Sequence, residues 1–281
     1  MNAMEQAVSQ PRLQQLLKWF IPLAAILALS VWFYIAPPGL LGKADAIGYA
    51  ICHRIDERSF QIGERQLPLC ARCTGEFNAA AISLLFFAFV SGKKSGMPGW
   101  KLGAPLVLFF LAFGIDGSNS YLYLLKQSSG GALADIPNLY TPNNTLRLIT
   151  GSGMGIALAS ILFPAFNQTV WQRLDPGPAL DWKKLGALIG IIAVVDVLIL
   201  LDIHVVLYIV SFLSVLGVLS LLTLVFSMAW LLIMRQENAF NHLREMWMPF
   251  LAGTTLAFLM ITAIDLLRLS LTGTWGGFPL G

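Results

Sequence analysis

The chain's three cysteines, Cys52, Cys70 and Cys73, fall within one short segment, and His53 adjoins the first of them. A Cys-x-x-Cys pair places two sulfurs close enough to chelate one ion or to form a redox disulfide. Cys52 and His53 can return from a loop to complete four ligands. Three thiolates and an imidazole around a tetrahedral ion are a known structural zinc arrangement. The metal reading therefore takes Cys52, His53, Cys70 and Cys73 as ligands of zinc or another thiophilic metal. Arg54 and Arg72 beside them favour the thiolate form. Two other chemistries use the same residues. In a thiol–disulfide site Cys70 and Cys73 are the active pair and Cys52 the shuttle to a partner. Alternatively, a disulfide or free thiols merely pin the loop. An extracytoplasmic loop favours the latter two readings, and a cytoplasmic one favours the metal.

The elements that must position this segment are read from composition. Of 281 residues, 57% are hydrophobic and only 12% charged, with mean hydropathy +0.72. That excludes a water-soluble globule, a disordered tail and a DNA-binding module. The net charge of +3 is too small to argue for a nucleic-acid partner. One lipid-spanning helix needs about 20 apolar residues. Apolar runs are read at 19–36, 77–90, 102–125, 146–166, 185–201, 205–234 and 249–269. The expected fold is an all-α integral membrane protein, a polytopic bundle of about seven transmembrane helices, with the bilayer as its partner. Pro37-Pro38-Gly39 stops the first run. The second helix is expected to begin within Thr74-Gly75-Glu76. A turn is expected at Asp202-Ile203-His204, because polar residues interrupt an apolar stretch too long for one crossing. Three regions result: 1–44 with the first helix, 45–166 with the cysteine loop and second to fourth helices, and 167–281 with helices five to seven.

Cytoplasmic loops collect Lys and Arg. Lys93, Lys94 and Lys101 share one connection, Arg173, Lys183 and Lys184 another, and Arg235 and Arg244 a third, while Arg12 and Lys18 precede the first run. With seven spans these fall on one side. The expected location is a prokaryotic plasma membrane, with a cytoplasmic N-terminus and an extracytoplasmic cysteine loop.

Ionisable groups inside spans usually face a cavity or a partner. Asp116 and Asn119 share a face of the third span, as do Asn144 and Arg147 in the fourth. Asp196 lies deep in the fifth, Asp202 and His204 at its end, and Asp265 and Arg268 in the seventh. Arg54, Arg58, Arg72, Asp116, Asn144 and Arg147 are the residues expected to bind a ligand in one polar chamber, arginine suiting planar anions through bidentate contacts. The purely structural alternative is an intrahelical Asp265–Arg268 pair and an interhelical Asp116–Arg147 pair. The Gly151-Ser152-Gly153-Met154-Gly155 run is read as close helix packing.

The run from Cys52 to Phe77 closely resembles the signature of the membrane-protein family known as domain of unknown function 2085. The matching residues are Cys52, His53, Glu57-Arg58-Ser59-Phe60 and Pro68-Leu69-Cys70-Ala71-Arg72-Cys73-Thr74-Gly75. Asp116-Gly117, Asn144, Arg147, Thr150 and Gly151 resemble its second block. The likeness covers residues 45 to 160 and departs from the family pattern at Glu76-Phe77-Asn78. It implies a polytopic membrane protein and no particular reaction.

Three functions follow. The first is a metal-organised cysteine loop capping a polar chamber for a small anion or lipid headgroup, with His53 or Asp116 the available bases. The second is a membrane thiol–disulfide oxidoreductase. The third is a transporter using Asp116, Asp196 and Asp265. No Walker loop, H-E-x-x-H, G-x-S-x-G or C-x-x-C-H is present.

Overall fold

The computed structural model describes residues 3–128 and 136–276, with side chains from residue 15 onward, so the side chain of Arg12 and residues 277–281 lie outside it. Eight α-helices carry the fold: α1 (Ala3–Ile35), α2 (Leu40–Ile51), α3 (Ala71–Val90), α4 (Trp100–Ser128), α5 (Asn144–Val170), α6 (Trp182–Leu200), α7 (His204–Ile233) and α8 (Trp247–Thr272). Among the described residues six stretches are long and apolar enough to cross a membrane: Gln15–Ile35 of α1, Leu243–Thr272 ending in α8, and α3, α4, α5 and α7. The all-α polytopic membrane fold is thus present. The expected fifth span, 185–201, corresponds to α6, which has 19 residues, carries Lys183, Lys184 and Asp196, and is not among those six.

The helices run back and forth between two ends. At one end β3 (Lys94–Gly96) pairs with β4 (Asp175–Pro178), Trp171 bridges Phe240, and Lys93 donates to the Asn241 carbonyl. The three connections read as Lys/Arg-rich therefore meet. At the opposite end lies the cysteine segment, with the hairpin β1 (Gln61–Ile62) and β2 (Arg65–Gln66). Helix α6 joins the two ends. Lys184 Nζ lies 3.0 Å from Ser91 Oγ, and Ile199 packs with Leu67 of the cysteine segment. The expected turn at Asp202 is there, with Asp202 in the left-handed region at φ 54°. No glycine is needed because aspartate tolerates that conformation better than most residues.

Three features differ from the sequence expectation. Helix α2 occupies a stretch with no element expected from the sequence. Its small residues Ala44, Ala46, Gly48 and Ala50 form a buried face with Ile47 and Tyr49. Helix α3 begins at Ala71, three residues before Thr74, with Cys70 at its N-cap. A hairpin and a 3₁₀ turn (Asp56–Arg58) shape the loop between Cys52 and Cys70.

Packing is tightest where glycines let backbones touch. A Cβ on Gly151 would lie 2.1 Å from the Arg72 carbonyl oxygen, and one on Gly155 2.1 Å from that of Glu76. This is the close packing expected of the glycine run, and it locks α5 to α3. Gly217 brings α7 equally close to Phe77. Outward faces carry exposed Phe33, Phe89, Val107, Val194 and Leu232, the surface a helix bundle presents to lipid.

Candidate functional site

Two short elements deliver the cysteines. Gly48 sits against Pro68, where a Cβ would stand 1.9 Å from the Pro68 carbonyl oxygen. The end of α2 and the approach to α3 are therefore in backbone contact. Cys52 follows α2 directly as its C-cap, and Cys70 caps α3. The intervening excursion folds back on itself through the hairpin, closed by Leu67 N–H donating to the Phe60 carbonyl at 3.0 Å. Cys73 lies in the first turn of α3.

The three sulfurs, Cys52 Sγ, Cys70 Sγ and Cys73 Sγ, all lie within 4.8 Å of one another. Sulfurs sharing a tetrahedral zinc at about 2.3 Å would stand about 3.8 Å apart, so the group is close to the spacing a metal requires. The backbone N–H groups of Arg54 and Cys70 donate to Cys52 Sγ at 3.4 and 3.3 Å. Arg54 adopts φ 53° to do so. Hydrogen bonds from the Cys70 and Cys73 side chains, then these backbone donors, hold the Cys52 thiol well below its ordinary pKa despite burial. His53 is placed differently from the sulfurs. Its Nδ1 lies 3.4 Å from Cys52 Sγ, but among the described residues the mutually close ligand atoms are the three sulfurs alone.

Beside the sulfurs is a cluster of polar side chains in the place of the expected chamber. Arg72, between the two cysteines of the pair, turns to α4. Its Nε donates to Asp116 Oδ2 at 3.1 Å, its Nη2 contacts the same oxygen, and Nη2 donates to Ser120 Oγ at 3.1 Å. Tyr140 donates its hydroxyl to Asp116 Oδ1 at 2.8 Å. Burial, then that bond, pushes the Tyr140 phenol up to about 12. Thr150 Oγ1 reaches Asp116 Oδ2 at 3.4 Å. Asp116 is 1% exposed.

Two more arginines complete this cluster. Arg58 donates to the Ser120 carbonyl at 3.1 Å, and Arg147 donates to Asn144 Oδ1 at 2.8 Å. Asn144 in turn donates to the Glu57 carbonyl. Arg58 is 8% and Arg147 6% exposed, yet neither forms an ion pair with a described residue, and Arg147 Nε is buried without a hydrogen bond. Burial first, then repulsion from Arg72, lowers the Arg58 pKa. The electrostatic neighbours of Arg147 are Arg58, Arg72, Asp116 and Cys70. Glu57 acts on Arg58, and Glu76 acts on Arg72 from within α3. Sequence reading treated Glu76 only as a departure from a pattern. Its place on the same face of α3, four residues after Arg72, was the available signal.

Of the six expected ligand-binding residues, Arg58, Arg72, Asp116, Asn144 and Arg147 come together. Arg54 does not join them. It pairs with Asp45 of α2 at 2.9 Å and donates to the Trp275 carbonyl. Asp45 also pairs with Arg65 at 2.5 Å. The expected Asp116–Arg147 pair is replaced by Asp116–Arg72. Arg268 turns to the carbonyls of Tyr49 and Cys52 and lies over the Tyr49 ring. Both Asp265 oxygens are buried without a hydrogen bond. Asp202 and His204 line a separate polar hollow with Ser59 and Gln61.

No solved structure matches the chain. The protein described as "Uncharacterized protein MJ1492" of Methanocaldococcus jannaschii is 23% identical over 130 residues, 46% of this chain and 71% of its own length. Cysteine cluster and arginine cluster both fall within residues 52–161, the stretch that matches the family described as "Predicted membrane protein (DUF2085)".

Proposed function

We propose that the cysteine cluster holds a thiophilic metal ion, zinc by its donor set, and that the metal-braced loop roofs a chamber for a small oxyanion such as phosphate, free or as a lipid headgroup. Support for the metal comes from three sulfurs within 4.8 Å, one of them accepting two backbone N–H bonds. Such donors stabilise thiolates, which are the metal-binding form. Three sulfurs leave one position of a tetrahedron, which His53 fills after a side-chain rotation. The metal would brace the loop and fix the first turn of α3.

The observation that carries the anion reading is the burial of Arg58 and Arg147 without an ion pair to a described carboxylate. A buried guanidinium lacking a counter-charge is costly, and an anion among Arg58, Arg72 and Arg147 relieves that cost. Asp116, engaged by Arg72 Nε and Nη2 and by Tyr140, fixes the Arg72 guanidinium and leaves its Nη1 to meet the anion. The Lys/Arg-rich end is assigned to the cytoplasm, which sets cluster and chamber on the outer side of the membrane.

Elemental analysis of the purified protein, with a thiol count by alkylation, tests the metal. About one zinc per chain is expected, falling at least tenfold in Cys70→Ser. Metal-free protein whose Cys70 and Cys73 interconvert reversibly between thiols and a disulfide would replace this reading with the oxidoreductase. For the anion, phosphate is expected to raise the unfolding temperature of wild type and not of Arg147→Ala. Equal shifts in both would remove the chamber's assigned role.

A further inference from the structure

Asp196 takes no part in the cluster or the chamber. It lies in α6, 9% exposed, and accepts one hydrogen bond, from Ser152 Oγ to Oδ1 at 2.9 Å. Its Oδ2 makes no hydrogen bond with a described residue. The carboxylate lines a groove of about 280 Å³ between α4, α5 and α6, walled by Phe109, Ile149, Ile156, Ile192 and Val197. No other charged residue lines it among the described residues. Ile149 is 51% and Val197 55% exposed, so the groove opens on the outer, lipid-facing surface of the bundle.

A carboxylate in apolar surroundings ionises only against a counter-charge. Among the described residues no arginine or lysine lines the groove. A metal cation such as Ca²⁺ or Mg²⁺ needs about six oxygen ligands, and the groove supplies one carboxylate and one hydroxyl. An organic cation has no such requirement. Its apolar body fills the groove while its charge sits at Oδ2. We propose that this groove binds a hydrophobic ammonium compound entering from the bilayer, with Asp196 as counter-charge and Ser152 orienting the carboxylate.

The test uses the full chain in detergent micelles and radiolabelled benzyltrimethylammonium in equilibrium dialysis, with neopentylbenzene as a neutral probe of the same shape. Saturable binding of the cation to wild type is expected, weakened at least about tenfold in Asp196→Asn, while the neutral probe does not distinguish the two proteins. Ala193→Phe fills the groove from its exposed side and leaves the Asp196–Ser152 bond intact, so it reports even if Asp196→Asn fails to fold. It is expected to lose the cation as well. Equal cation binding by wild type and Asp196→Asn, wild-type binding by Ala193→Phe, or no saturable binding by wild type would each overturn the proposal. The outcome is independent of the metal and the anion, since neither touches this groove.

Discussion

Asp116 is the residue on which the chamber's charges balance. It is the carboxylate that forms an ion pair with one of the three clustered arginines. Removing one partner of a buried pair leaves the other uncompensated, at a cost of about 3–5 kcal/mol. Asp116→Asn is therefore expected to destabilise the protein by that order, read from denaturant unfolding in micelles. Sulfate is expected to restore more stability to Asp116→Asn than it adds to wild type, because the ion replaces the lost charge. If sulfate acts equally on both, the arginines do not share one anion site. At the same scale, Arg54 belongs to a different task. Its pair with Asp45 and its bond to the Trp275 carbonyl tie α2 to the end of α8. Burial raises the Asp45 pKa, and Arg54 and Arg65 oppose that rise.

At the scale of elements, glycine contacts set the site. Gly48 keeps α2 against Pro68, and this contact brings Cys52 to Cys70. Gly48→Ala touches no ligand, yet a Cβ 1.9 Å from a backbone oxygen must push the two elements apart. It is expected to lower metal affinity about 10–100-fold, as the loss of an outer-shell support does, measured by competition with a chromogenic chelator. Gly155→Ala, which forces α5 off α3, is expected to cost at least about 1–3 kcal/mol. Gly103→Ala in α4 meets nothing within 4 Å, and is expected to be neutral or stabilising by up to about 1 kcal/mol. Equal effects of the two variants would show that close packing does not govern these positions.

Across the whole molecule, the two ends differ in chemistry. One gathers Lys93, Lys94, Arg173, Lys184 and Arg244, and the other the sulfurs and the chamber. Glu64 is exposed in the hairpin turn and Lys101 at the start of α4. A cysteine placed at each is expected to label from opposite sides of the membrane with an impermeant maleimide. Glu64→Cys should react in intact cells, and Lys101→Cys only after permeabilisation. Labelling of both from one side would contradict the alternating helix arrangement.

Much of this architecture was already written in local patterns. Apolar run length marks the membrane helices, because hydrocarbon thickness imposes one length on them all. The three cysteines announced their convergence through residue type and spacing, and His53 stands beside them rather than among them. The glycine run in α5 announced a close helix contact. Pairing among charges was beyond reach of those patterns. Asp116 meets Arg72 rather than Arg147, and Arg54 leaves for Asp45, because such choices depend on how α2, α3, α4 and α5 are rotated about one another. Those rotations are set by contacts between residues distant in the chain, such as Gly151 with Arg72 and Gly48 with Pro68. A chain read in order carries no record of these contacts, whereas the folded bundle does, because close packing permits only one set of neighbours for each buried charge.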